Sequence, residues 1–104
     1  MSLGLCLITL STIHLSAQTE LRGVVTNTKD EILLGASVYL EGTRMGTISN
    51  EQGKYSIEGL QPGEYIVVFS YIGHETVKVP VTVVPNSSRF LVNMRMKELA
   101  YTIQ

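Results

Sequence analysis

Apolar and polar residues alternate along most of the chain between residues 21 and 97. A period of two residues puts apolar side chains on one face of a β-strand and polar side chains on the other. Seven segments with this pattern are separated by turns rich in Gly, Pro, Asn and Asp: 21–26, 36–41, 45–49, 54–58, 65–72, 76–83 and 89–97. Short strands at such regular spacing predict an all-β domain, a seven-stranded antiparallel β-sandwich.

Two of these segments have a predicted place in their sheet. Residues 65–72 are apolar at nearly every position, which is typical of a central strand covered on both faces. In segment 76–83, every second residue from Val77 to Val83 is valine, and Pro80 lies on the opposite face. Because proline has no N–H to donate, we expect this strand at a sheet edge or with a bulge.

Two turns carry specific backbone predictions. In residues 61–64, Pro62 presets φ for the second position of a β-turn, and Gly63 suits the third position of a type II turn. In the turn 50–53, Gly53 can adopt a positive φ at little cost because it has no Cβ.

Residues 1–17 differ from the rest of the chain, because they form an apolar run that ends in the small residue Ala17 before polar Gln18. The run is shorter than the ~20 residues that a membrane-spanning helix needs. It is typical of a cleavable secretory signal peptide, although no Lys or Arg precedes it and Leu15 is bulky for a residue three places before the cut. The alternative is a buried N-terminal strand or helix.

The composition limits the possible chemistry. Cys6 is the only cysteine and lies in the leader, where lipidation is the less favoured alternative to cleavage. After cleavage the chain has no thiol for a disulfide, a nucleophile or a metal ligand. A net charge of −1 gives no reason to expect binding to nucleic acid or to an anionic membrane surface.

Few side chains after residue 17 could support catalysis, since His74 is the one histidine there and Asp30 the one aspartate. We expect His74 to be an exposed turn residue, because a general base needs a partner at hydrogen-bond distance. Asp30 is expected to stabilise the turn 27–30. One histidine cannot supply the roughly four ligands of a zinc site. The sequence thus predicts no catalytic, cofactor-binding or metal-binding residue.

Three weaker signals have plain structural interpretations. Asn50, Glu51 and Gly53 faintly suggest a calcium loop, but such a loop offers several alternating acidic ligands, so a hairpin turn is favoured. Residues 86–88 match a glycosylation sequon, a weak signal because turns rich in Ser and Asn often produce it. Tyr39 is the candidate exposed aromatic residue for sugar binding, whereas three others alternate in phase with core positions: Tyr55, Tyr65 and Phe69.

The order of the glycines and strand segments is more specific than any single residue. In their glycines and strand phases, residues 23–26, 34–43, 46–57, 60–65 and 69–76 resemble the carboxypeptidase-regulatory-like domain family. The resemblance covers residues 20–97 and implies a prealbumin-like (immunoglobulin-like) β-sandwich.

Residues 70–73 (Ser-Tyr-Ile-Gly) resemble a narrower group, the domain at the N-terminus of SusC-like TonB-dependent outer-membrane transporters of Bacteroidetes. In that group the domain follows a signal peptide and lies in the periplasm, ahead of a TonB-contact segment, a plug and a β-barrel. Residues 98–104, where alternation ends, resemble the lead-in to that segment. The resemblance implies a signal peptide at 1–17, a domain at 18–97 and a linker from 98, in a truncated or fragmentary chain without plug and barrel.

Three functional hypotheses follow. The first is a non-catalytic periplasmic accessory domain that contacts protein partners of a TonB-type transport system, for example by pairing a strand at a sheet edge that lacks proline. The second is a free-standing secreted or cell-surface binding module, with carbohydrate as one ligand. The third is an accessory domain of an exopeptidase.

Overall fold

The structure is a computed structural model that describes residues 18–86 and 88–100. The predicted leader (residues 1–17), Ser87 of the sequon and residues 101–104 of the predicted linker lie outside the described residues. Within them no helix is long and apolar enough to cross a membrane. The described residues form eight strands: β1 (Thr19–Asn27), β2 (Ser37–Leu40), β3 (Gly46–Ile48), β4 (Lys54–Leu60), β5 (Gly63–Ser70), β6 (Val77–Val83), β7 (Arg89–Leu91) and β8 (Met94–Met96).

The strands form two sheets around one apolar core, which confirms the predicted β-sandwich. The first sheet has the order β4-β1-β7, with β8 also paired to β1, and the second has the order β3-β2-β5-β6. Most of the inward positions that the alternation predicts are buried, among them Leu21, Leu40 and Phe69. Others, such as Val77 and Val79 of β6, are partly buried against this core. Burial of such side chains contributes about 1.5–3 kcal/mol each, so this core is the main source of stability.

The first sheet is mixed, and the predicted antiparallel pairing is wrong for its last two strands. β1 pairs antiparallel with β4 but parallel with β7 and β8. The predicted seventh strand is split at residues 92–93, where the Asn93 Oδ1 accepts the Val24 N–H at 2.9 Å in place of a backbone carbonyl. The alternation predicts which face of a strand is buried, but it is the same for parallel and antiparallel neighbours.

The predicted places of the two unusual segments are largely confirmed. β5 is central, between β2 and β6. Its two faces are both buried only along Val67, Val68 and Phe69, three consecutive residues that alternate between the faces. β6 is an edge strand, and Pro80 lies opposite Ile66. The Ile66 carbonyl accepts the Glu41 N–H at 2.9 Å, so Ile66 directs its backbone groups towards β2. The Ile66–Pro80 pair is therefore not hydrogen-bonded, and the proline nitrogen faces the free edge.

One of the two glycine predictions is confirmed and the other is wrong. Gly53 has a φ of 72°, as predicted for its turn. Gly63 has a φ of 154° and begins β5, whereas the third position of a type II turn needs about +80°. Gly59 adopts the left-handed conformation instead, with a φ of 81°. It lies in the stretch Ile57–Leu60 of β4, which has one residue more than the stretch Thr19–Leu21 of β1 that pairs with it. Such an extra residue is a β-bulge, for which glycine is suited.

A hydrogen bond joins β4 to the break between β7 and β8 across the inner face of the first sheet. The Tyr55 Oη donates to the Val92 carbonyl at 2.5 Å, directly above Gly23 of β1. A Cβ on Gly23 would lie 1.9 Å from that carbonyl oxygen. The Tyr55 ring also packs edge-on against Phe69 of the other sheet, with ring centroids 5.5 Å apart. Burial raises the pKa of Tyr55 above its ordinary value of 10.0.

Candidate interaction surface

His74 lies in a turn, as predicted, but it is half-buried and the predicted exposure is wrong. Its N–H donates to the Tyr71 carbonyl at 3.1 Å, and its Nδ1 lies 2.9 Å from the Ile72 carbonyl. The ring stands edge-on to the Tyr71 ring at 5.0 Å. The Nε2 is buried without a hydrogen-bond partner among the described residues. The imidazole therefore packs against its own turn.

The turn 27–30 forms as predicted, but Asn27 provides its side-chain hydrogen bonds. The Asn27 Oδ1 accepts the N–H groups of Lys29 at 2.9 Å and of Glu31 at 3.0 Å. Asp30 is exposed, has a φ of 61° and lies 3.6 Å from Arg95 in a surface ion pair. Asp30 thus acts as a turn residue whose backbone conformation suits aspartate.

The side-chain oxygen of Asn50 accepts hydrogen bonds within its own turn. The Asn50 Oδ1 accepts the N–H groups of Gln52 and Lys54, both at 2.9 Å. No group of three or more His, Cys, Asp or Glu side chains is placed to hold a metal ion in residues 18–86 and 88–100. These contacts fit the hairpin interpretation of this segment. In the sequon, Asn86 is exposed at a φ of 68°.

The aromatic residues divide as the sequence predicts. Tyr55 and Phe69 are buried, and Tyr65 is half-buried with its Oη donating to the Gln61 carbonyl at 2.7 Å. Tyr39 is 40% exposed and is the only exposed aromatic residue in the part of the chain that the structure describes. A single exposed ring does not form the clustered aromatic platform that sugar binding by stacking uses.

The outer face of the second sheet carries more apolar side chains than is usual for a face in contact with water. Strand alternation alone did not predict which side chains cover them. Val68 points outward yet is only 1% exposed. It lies in a cross-strand row between Tyr39 and Lys78. The Lys78 Nζ reaches the Glu41 carboxylate at 2.5 Å, and this hydrogen bond raises the pKa of Lys78. The lysine stem thus extends across β5, where such stems cover apolar surface.

Two further apolar side chains of this outer face are exposed to solvent. Ile48 on the edge strand β3 is 66% exposed, and Ile66 on β5 is exposed to the same extent as Tyr39. Tyr39 lies directly opposite Gly46 of β3 and packs closely against it, since a Cβ on this glycine would lie only 2.9 Å from the Tyr39 Cβ. The residues Tyr39, Gly46 and Ile48 therefore form an apolar strip that ends at the free edge of β3.

The start of the predicted linker contacts the sandwich. The Glu75 N–H donates to the Lys97 carbonyl at 2.8 Å, and the Leu99 N–H donates to the Gly73 carbonyl at 2.9 Å. Glu98 forms a single antiparallel bridge with His74 between these bonds. Residues 98 and 99 are thus held by the turn between β5 and β6. Their sequence lacks a run of alternation, so pattern analysis gave no sign of this pairing.

Sequence comparison relates the chain to receptor proteins. A family model described as the CarboxypepD_reg-like domain matches residues 21–104. A TonB-dependent receptor of Formosa agariphila is 34% identical over 84 residues, which are 81% of this chain and 8% of the receptor. The TonB-dependent receptor SusC of Bacteroides thetaiotaomicron is 38% identical over 64 residues, which are 62% of this chain and 6% of SusC. The chain therefore spans less than a tenth of the length of these curated relatives.

Structural comparison finds the same sandwich in proteins of very different kinds. Catechol 1,2-dioxygenase of Pseudomonas arvilla C-1 superposes with a TM-score of 0.63 at 10% identity, covering 85% of this chain and 54% of the dioxygenase chain. The Bacillus anthracis TIE protein gives 0.63 at 15% identity, with coverages of 80% and 18%. At such identities the likeness concerns the fold alone. The family match over residues 21–104 carries the assignment, and the chain belongs to the CarboxypepD_reg-like domain family.

Proposed function

We propose that this chain is a non-catalytic accessory domain of a TonB-dependent outer-membrane nutrient transporter. It lies on the periplasmic side of the outer membrane and acts through contacts with protein partners of the transport system. The observation that carries this proposal is the 34% identity to a TonB-dependent receptor over 84 residues, a small share of that receptor. A stretch of this size is one small domain, so the shared part is a module of the receptor.

The described side chains support a binding role over a catalytic one. His74 packs against Tyr71 in its turn, and Asp30 forms a surface ion pair with Arg95. Nucleophilic catalysis needs a nucleophile beside an oriented base, which neither residue provides. The carbohydrate-binding alternative gains no support, because Tyr39 is the sole exposed ring among the described aromatic residues.

An exchange experiment tests this function. The segment of Bacteroides thetaiotaomicron SusC that matches this chain is deleted, or replaced by residues 18–100, and TonB-dependent uptake is measured beside unaltered SusC. We expect the replacement to restore the uptake that the deletion lowers, because the two segments are 38% identical. A matched replacement carrying Val81→Asp, which disrupts the core, should behave like the deletion. A replacement that reaches the outer membrane in normal amount without restoring uptake would contradict the proposal.

For the chain ends we propose a signal peptide at residues 1–17, a domain at 18–97 and a linker from 98. Export from a Gram-negative host followed by N-terminal sequencing tests the first part, with Gln18 as the expected first residue. An exported chain that still begins at Met1, or one that carries lipid on Cys6, is incompatible with it.

A further inference from the structure

We propose that the free edge of β3 is a self-association surface, on which a second copy of this chain pairs antiparallel through its own β3. The β3 edge comprises the outward backbone groups of Gly46 and Ile48. The inference does not depend on the transporter assignment, because it concerns only what this chain presents to another copy of itself.

The pairing of β3 with β2 fixes which backbone groups are open. The Leu40 N–H donates to the Met45 carbonyl, and the Ser49 N–H donates to the Ala36 carbonyl, both at 2.9 Å. Hydrogen-bonded and non-bonded pairs alternate along an antiparallel ladder. Met45, Thr47 and Ser49 therefore direct their backbone groups towards β2. Gly46 and Ile48 direct theirs away from it, at the edge.

The other edges of the described sandwich each carry a feature that hinders strand addition. On β6, Pro80 withholds a donor from the free edge. On β4, Asn50 occupies the N–H and the carbonyl of Lys54 through its Oδ1 and its own N–H, both at 2.9 Å, and the bulge at Gly59 distorts the far end. On the remaining side the strand is interrupted at Asn93. Natural sheets protect their edges with such features, and residues 45–49 contain neither a charge nor a proline.

The β3 edge is self-complementary about a two-fold axis through Thr47. In that register Gly46 lies opposite Ile48 of the second copy, and Ile48 opposite Gly46 of the second copy. Both residues direct their backbone groups outward, so each of these pairs exchanges two hydrogen bonds. The reciprocal contact of one patch with itself is the geometry of a two-fold symmetric dimer.

The side chains fit the same register. Ile48 is 66% exposed and lies opposite Gly46 of the second copy, which carries no side chain of its own. There it meets Tyr39, which lies across from that glycine on β2. The flanking residues Arg44 and Asn50 fall opposite each other, so no like charges are brought together. The isoleucine and the aromatic ring lie on either side of that glycine, and removing both apolar side chains from water there is favourable.

The size of the edge sets the expected strength. β3 has three residues, so the interface is small compared with the roughly 1,600 Å² of a standard protein–protein interface. We therefore expect a reversible dimer whose population rises with protein concentration, and not a permanent dimer.

Sedimentation velocity of the full chain over a micromolar to millimolar range tests the dimer. We expect the weight-average mass to rise towards that of a dimer, and Ile48→Lys to abolish the rise. Leu91→Lys is the matched control, since Leu91 is 65% exposed on β7 of the other sheet and should leave the rise unchanged. A chain that stays monomeric throughout overturns the proposal, and so does association that survives Ile48→Lys.

A cross-linking experiment tests the register independently. Thr47 lies on the two-fold axis in a non-bonded pair with itself, where Cα atoms are about 4.5 Å apart, within the range of roughly 4.4–6.8 Å for a disulfide. Thr47→Cys is made in a full chain that also carries Cys6→Ser, so that the new thiol is the only one. We expect it to oxidise to a covalent dimer many times faster than the control Thr82→Cys on the Pro80 edge. Equal rates for the two variants would overturn the register.

Discussion

The hydrogen bond from Tyr55 to Val92 offers the sharpest test of how this sandwich is held together. Tyr55→Phe removes the hydroxyl that lies 2.5 Å from the Val92 carbonyl and leaves the ring in place against Phe69. A hydrogen bond contributes about 0.5–1.5 kcal/mol net, and a shielded acceptor left without a partner costs about 1–3 kcal/mol. Because Val92 is only half-buried, we expect a loss of about 1–2 kcal/mol in the free energy of unfolding.

Gly23→Ala perturbs the same contact from the other side. The added Cβ would lie 1.9 Å from the Val92 oxygen and 2.9 Å from the Tyr55 Cε1, so the backbone carbonyl must move. Overpacking of this kind costs about 1–3 kcal/mol, to which the loss of the Tyr55 hydrogen bond adds. The alanine variant is therefore expected to be less stable than Tyr55→Phe.

The two substitutions should not be additive, because each breaks the same bond. Urea unfolding of both single variants and the double variant, followed by circular dichroism since the chain has no tryptophan, gives the three free-energy differences. We expect Tyr55→Phe to cost about 1 kcal/mol less in the Gly23→Ala background than in the unchanged chain. Full additivity, or a Gly23→Ala variant as stable as the parent, would refute the reasoning.

Three further predictions concern other parts of the molecule. First, burial raises the pKa of Tyr55, so the unfolded chain loses this proton above pH 10.0 while the folded chain keeps it. Stability should thus be intact below that pH and fall above it, and a pH series of urea midpoints that falls equally in Tyr55→Phe would count against this cause. Second, Val81→Asp should unfold the domain by burying an unpaired charge, at a cost of several kcal/mol, whereas Thr82→Asp on the exposed face of the same strand should change the urea midpoint little. Third, Lys78→Met should keep a urea midpoint near that of the parent, because the methionine side chain still covers Val68, whereas Lys78→Ala should lower the midpoint. Equal urea midpoints for the two variants would show that the lysine stem does not cover Val68.

Several features of the fold could be predicted from local sequence because their cause is local. The valines of β6 alternate with polar residues, and the same period determines its buried face in any β-sheet. Pro80 lacks an N–H wherever it lies, so an edge position followed from its covalent structure. Gly53 took the positive φ that a turn at that place requires.

The candidate interaction surface could be predicted only in part. The exposure of Tyr39 followed from its phase against Val38 and Leu40. The openness of the β3 edge did not follow, because it depends on the order of strands in the second sheet and on what protects the other edges. The half-burial of His74 likewise depends on residues 97–99 returning to its turn.

The sequence by itself determined the all-β class, the alternating faces of most strands and the scarcity of catalytic residue types after residue 17, because these depend on side-chain period and residue type. Only the tertiary structure decided that β7 and β8 run parallel to β1, and that Lys78 covers an outward valine. It also decided that Gly23 must lack a side chain. Each of these features depends on which distant residues come within a few ångströms of each other, and the alternation along one strand is the same whichever strands lie beside it and in whichever direction they run.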